Sequence, residues 1–119
     1  AFKVFALEVA ATGLDEREAE RSGYAPTSTL IWGTPIAGSM NKGQRLGIKM
    51  IADRASGKLL GAQAVGQSGA VSRINTLAAC LWSGMDLDGI GYLDLAYSPP
   101  FGGVWDPIHI AAQVLRRQL

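Results

Sequence analysis

Leu46, Ile48, Met50 and Ala52 alternate with Gly47, Lys49, Ile51 and Asp53. A period of two belongs to a strand with one face turned to a core. The run "LLGAQAV" (59–65) is mostly apolar, and "DRASGK" between the two carries turn residues, with Gly57 near its end. The pattern predicts a hairpin in which a half-exposed strand lies beside a more buried one. "AFKVFALEV" (1–9) is short and rich in Phe and Val, so it reads as one strand, and "STLIW" (28–32) as another. Between "STLIW" and the hairpin, "GTPIAGSMNKGQR" reads as a long, turn-rich connection.

Elsewhere the period becomes helical. In "QSGAVSRINTLAACLWSG", Val71, Ile74, Leu77, Ala78 and Leu81 share a face, with Ser68 placed as N-cap and Gly84 as C-cap. Near the end, Ile108, Ala111, Ala112 and Leu115 share another face. There Asp106 caps, Pro107 takes the first helical position, and Arg116 and Arg117 suit the negative helix end. Two shorter helices are predicted. One is an exposed helix over 15–22, with Asp15 and Glu18 as a capping box, Arg21 in the last turn and Gly23 beyond it. The other opens at Asp86 in "DLDGIGYL". The sum is an α+β domain: an antiparallel β-sheet with helices packed on one face.

One stretch fits neither period. "DLAYSPPFGGVWDP" (94–107) places Tyr97 and Phe101 on either side of Ser98, Pro99 and Pro100, followed by Gly102 and Gly103. Residues before proline are pushed toward extended geometry, and the glycines permit a sharp turn. The aromatics therefore sit on a stiff, non-helical arm. Either the arm staples the last helix to the sheet, or it presents Tyr97 to something outside the domain.

Composition narrows the classes. With 119 residues, the chain suits one domain with one core. The 48% hydrophobic and 18% charged residues place it among globular chains. A net charge of +1 with no basic block gives no support for a nucleic-acid partner. No apolar run reaches the roughly 20 residues of a membrane helix. Cys80 has no internal partner, which suits a reducing, cytoplasmic compartment. The chain opens on Ala1 in mid-strand, and we read it as a piece of a longer protein.

Candidate chemistry is sparse. "VGQSGA" could aim backbone N–H groups at an anion, but small residues also suit a strand-to-helix turn. His109 has no Cys or Glu at ligand spacing, so no metal site is predicted. It reads as a partly exposed helix residue, and no second histidine stands ready as a general base for Ser39 or Ser98. Cys80 falls mid-to-late in its helix among apolar neighbours, the setting of a structural thiol and not of a thiolate. Asp86, Asp88 and Asp94 read as caps and surface.

The segments "ATGLDEREA", "SGKLLGAQAVG" and "LAYSPPFGGVWDP", with the run joining the last two, resemble the C-terminal dimerisation domain of the FAD-dependent pyridine nucleotide-disulfide oxidoreductases. The resemblance covers nearly the whole chain. It implies that residues 1–119 are the third domain of a longer enzyme, behind an FAD domain and an NAD(P) domain. FAD and NAD(P)H would be cofactors of that parent, and no motif for either stands in this chain. The resemblance also implies a homodimer, built on the helix near 70–83 and the late arm. In this family the late loop enters the partner subunit's active site. A branch with a His-Pro pair there uses the histidine as acid and base, whereas this chain has Tyr97 at the matching place. Tyr-x-Pro-Pro-Phe resembles the coenzyme A-disulfide reductase and NADH oxidase branch. There the matching tyrosine serves the active site across the dimer interface, which implies a catalytic Tyr97 and places Ser98 and Pro99 near the partner's flavin. Coenzyme A-disulfide reductases often carry a Tyr-Tyr pair where this chain has Ser39 and Met40. The alternative is a free-standing ligand- or protein-binding module without redox activity.

Overall fold

A computed structural model describes residues 1–35, 45–96 and 105–119. Five strands form one antiparallel sheet: β1 (Phe2–Val4), β2 (Leu7–Gly13), β3 (Pro26–Gly33), β4 (Leu46–Asp53) and β5 (Leu59–Gly66). Their spatial order is β1-β2-β5-β4-β3. The predicted hairpin is the centre of this sheet, with Ile48 opposite Ala64 and Met50 opposite Ala62. On its far sides β5 pairs with β2 (Ala10 opposite Ala64) and β4 pairs with β3 (Ile31 opposite Ile48).

Helices α2 (Ala70–Trp82), α3 (Leu87–Gly91) and α4 (Pro107–Arg117) cover one face of the sheet. Ile48, Met50, Ala52, Ala62 and Ala64 of the sheet meet Ile74, Leu77, Ile108, Ala111 and Leu115 of the helices in a single core. Small residues on β5 and on the inner side of α4 let the layers approach closely. The remaining helix, α1 (Glu16–Arg21), lies across the opposite face, where Ala19 meets Ile51 and Leu60. A Lys49–Glu16 ion pair ties α1 to β4.

Three expectations need correction. The first nine residues are two strands, not one. Val4 pairs with Leu7 across a two-residue turn, with Phe5 at φ 54°. β4 is buried along almost its whole length and is not half-exposed. It is an inner strand, and its second face is covered by α1 over Ile51 and by the Trp32 ring over Gly47. The N-cap of α2 is Gly69, in the left-handed region at φ 83°, and not Ser68. The other caps stand as read: Asp15 with Glu18 as a capping box, Asp86 accepting from the Gly89 amide, and Asp106 before Pro107. Gly84, at φ 71°, follows the Ser83 C-cap, and the Met85 amide closes back on the Cys80 carbonyl.

Candidate functional site

Asp106 organises the end of the molecule from which the arm departs. Its carboxylate accepts from the Ile108 amide (3.0 Å), which caps α4. The same carboxylate accepts from Arg73, from Nη2 at 2.9 Å and from Nε at 3.4 Å. Arg73 Nη2 also donates to the Pro35 carbonyl at 2.7 Å. One guanidinium therefore joins α2, the start of α4 and the start of the connection that follows β3. Arg73 is only 8% exposed. Planar geometry with several donors lets an arginine serve two acceptors at once, which a lysine does less well.

Room for this group is built into the backbone. A Cβ on Gly69 would stand 2.6 Å from Arg73 Nη1 as the guanidinium lies, and the φ of 83° there favours glycine in its own right. Beside it opens a cleft of about 470 Å³, with Pro35, Ser68, Thr76, Leu95 and Ala96 among its walls. Glu8 accepts from the Val71 amide, so the first turn of α2 is bonded from β2.

His109 completes the arrangement. It is buried, contrary to expectation, and both ring nitrogens are engaged. Nδ1 accepts from the Asp106 amide at 2.9 Å, the reciprocal half of a capping box. Nε2 lies 2.7 Å from the Leu93 carbonyl, which can only accept, so the ring is the Nε2–H tautomer. A single imidazole thus bridges Leu93 and Asp106, the two sides of the predicted arm. Trp105 sets its edge against the ring (5.6 Å), and Tyr92 in turn against Trp105 (6.2 Å). With both nitrogens occupied, His109 offers no free base.

Tyr97, Ser98 and Pro99 lie outside the described residues, as do Phe101, Ser39 and Met40. What the structure brings together is the frame on either side of them. Arg73 and His109 were not singled out as part of it. A signal for the first exists: Arg73 falls in phase with Leu77 and Cys80, on the stripe that faces the core. His109 stands three residues after the Asp106 N-cap, where Glu or Gln commonly closes a capping box, and imidazole nitrogen does the same work here.

Other candidates fall into place. Cys80 is buried, and burial pushes its thiol above the ordinary range, the reverse of an activated nucleophile. Asp53 is held below the usual carboxylate range, first by the Ser56 hydroxyl and then by the amides of Ala25, Ala55 and Ser56. It serves the β4–β5 turn and the start of β3. Among the described residues, no three His, Cys, Asp or Glu side chains gather as metal ligands, and no helix is long and apolar enough to cross a membrane.

Comparisons with known proteins agree with this architecture. The family described as "Pyridine nucleotide-disulphide oxidoreductase, dimerisation domain" matches residues 1–107. An NAD(P)H sulfur oxidoreductase (CoA-dependent) of Pyrococcus furiosus is 36% identical over 96% of this chain and 26% of its own length. An NAD(P)H coenzyme A polysulfide/persulfide reductase of Pyrococcus horikoshii is 37% identical over 96% of this chain and 25% of its own. The structure of an NAD-dependent persulfide reductase from A. fulgidus superposes with a TM-score of 0.94 at 30% identity. That match covers 98% of this chain and 22% of the other. The chain thus spans about a quarter of the length of the curated relatives it matches. A five-stranded antiparallel sheet, three helices laid on one face and a family match over residues 1–107 lead to one assignment: the chain belongs to the pyridine nucleotide-disulphide oxidoreductase dimerisation-domain family.

Proposed function

We propose that residues 1–119 form the dimerisation domain of an FAD-dependent enzyme that draws electrons from NAD(P)H, and that the domain lends Tyr97 to the flavin and redox-cysteine site of the partner subunit. The observation that carries this reading is the family match over residues 1–107, which takes in the whole arm. Ser98 and Pro99 belong to the same proposal as neighbours of the partner's flavin.

The cofactors are assigned to the rest of the polypeptide. A dinucleotide site of the familiar kind needs parallel strands with a helix N-terminus at a crossover. All the strands described here pair antiparallel. Flavin supplies the electron transfer when bound; this chain supplies position and a proton. A tyrosine hydroxyl donates a hydrogen bond and, with an ordinary pKa of about 10, keeps its proton at neutral pH. It suits an acceptor whose leaving atom gains negative charge. The names of the relatives favour a sulfur–sulfur bond carried on coenzyme A or polysulfide as that acceptor. A cytoplasmic setting accords with the free Cys80.

Self-association gives the domain its other role. The helix near 70–83 and the arm are the surfaces proposed for the two-fold contact, and Trp82, 94% exposed at the end of α2, is the large apolar group offered there. The test uses the full-length polypeptide. Its visible spectrum should show a flavin that bleaches with NADH or NADPH. Tyr97→Phe should leave that bleaching intact and lower turnover with coenzyme A-linked persulfide by roughly a hundredfold or more, the usual worth of a positioned proton donor. Unchanged turnover in Tyr97→Phe would remove the proposed role of the arm.

A further inference from the structure

We infer that His109 is an acid-sensitive latch between α3 and α4, shut while its imidazole is neutral and released when the ring takes a second proton. The inference does not depend on the role proposed for Tyr97. The ring is 4% exposed, and both of its nitrogens are bonded. Nε2–H donates to the carbonyl of Leu93, just beyond α3, and Nδ1 accepts from the amide of Asp106, the N-cap of α4. One bond needs a donor and the other an acceptor, a combination that only the neutral ring has. An imidazolium is a donor at both nitrogens, so its Nδ1–H would face the Asp106 N–H across the 2.9 Å that the bond now spans. Asp106 is itself buried, and a buried amide that loses its acceptor costs more than the bond was worth. The charged ring and the Asp106 amide therefore part, and the link from Leu93 to the start of α4 opens.

The groups around the ring decide how it answers a proton. On α4 the ring stands at the third helical position, where the helix end is positive and an added cation is repelled. From α2, Arg73 brings a positive charge to the same N-terminus and, with the Ile108 amide, already occupies the Asp106 carboxylate. From the α3 side come the Leu93 carbonyl, which accepts from either form of the ring, and Asp94, next to it in the chain. The Tyr92 phenol meets the ring only through Trp105, and Asp88 is paired with Arg116. Glu or Gln is the ordinary third-position partner in a capping box, and Gln would make this pair of bonds without titrating. Imidazole is the version of the motif whose charge changes between about pH 5 and 8.

The experiment uses the full-length polypeptide, as wild type and as His109→Gln. Amide hydrogen exchange is followed at about pH 8 and about pH 5, corrected for the intrinsic rate at each, in peptides covering 91–95, 105–110 and the β4–β5 hairpin. Deuterium exchange at the imidazole C2 of His109 reads the protonation of the ring over the same range. In the wild type, protection in 91–95 and 105–110 should fall about tenfold between the two conditions, in step with the ring and with the hairpin unchanged. In His109→Gln both peptides should stay within about twofold. An equal fall in His109→Gln assigns the acid response to other groups and overturns the inference. So does a ring that stays neutral throughout, or one that titrates while both peptides keep their protection, because the imidazolium has then found a partner such as the Asp106 carboxylate. The last comparison is made in the wild type alone, so it decides the matter even where His109→Gln does not fold.

Discussion

Asp106 performs two tasks with one carboxylate: it caps α4 and neutralises a buried guanidinium. Its removal takes the Asp106 carboxylate away from a buried guanidinium. Breaking a pair of this kind costs about 3–5 kcal/mol, so Asp106→Ala should lower the urea-unfolding free energy by that amount. Asp106→Asn, which keeps a cap acceptor, should cost less. Asp53 makes a different prediction, in pH. Its carboxyl titrates below the ordinary value in the folded chain, chiefly through the Ser56 hydroxyl. Its contribution is therefore fully present above about pH 4, the unfolded value, and is lost as pH falls through the lower folded value. Asp53→Asn should flatten the acid limb of a stability–pH curve, read from urea midpoints, and leave the slope near neutrality unaltered. At this scale the sequence revealed the caps well, because Asp15, Asp86 and Asp106 act through neighbours two or three positions away. It did not reveal Arg73 meeting Pro35, a contact between residues 38 positions apart.

Elements were legible where their period was pure. α4 buries Ile108, Ala111, Ala112 and Leu115 as its stripe predicts, whereas α2 buries Ile74 and Leu77 of its stripe together with Ala70, Arg73 and Cys80, and Val71, Ala78 and Leu81 are only half-buried. The burial of β4 was missed because alternation reports one covered face, while the second cover comes from α1 and Trp32, elsewhere in the chain. The first hairpin was missed because Phe5 and Ala6 carry no turn signature. Phe5 stands at positive φ with its ring 98% exposed, in a position where a two-residue hairpin turn favours glycine. It loses no packing on truncation and gains relief from the left-handed region. Phe5→Gly should therefore stabilise the chain by about 1 kcal/mol, checked by chemical denaturation.

Among the described residues, several large apolar side chains lie outside. All three tryptophans, Trp32, Trp82 and Trp105, are more than half exposed. Phe2, Val4 and Leu7 crowd the β1–β2 side of the sheet, away from α2 and α4, and are 59%, 43% and 42% exposed. Large exposed apolar surface marks faces that other protein covers. In the proposed assembly the sheet side meets the remaining domains and α2 meets the second copy. Trp82→Lys should then raise the dimer dissociation constant at least about thirtyfold, the worth of a tryptophan anchor of some 2 kcal/mol, while Trp32→Lys leaves it unchanged. Sedimentation at several concentrations distinguishes the two. Family membership was legible at this scale because its motifs are dense and local, "LAYSPPFGGVWDP" above all. The frame beside that motif was not, since it is assembled from α2, α4 and the end of β3.

The order of strands also governs when the chain can fold as it is synthesised. β2 and β3 come early, but they are not neighbours in the sheet, and each waits for a partner made later. β3 must wait for β4, and β2 for β5, which is also the partner of β4. A nascent chain that has emerged only as far as Lys58 thus holds the β1–β2 hairpin with no strand to join it to the β3–β4 pair. The eight residues Leu59–Gly66 then connect the two halves in one step. The β1–β2 hairpin therefore stays apart from the β3–β4 pair for as long as that strand remains unmade.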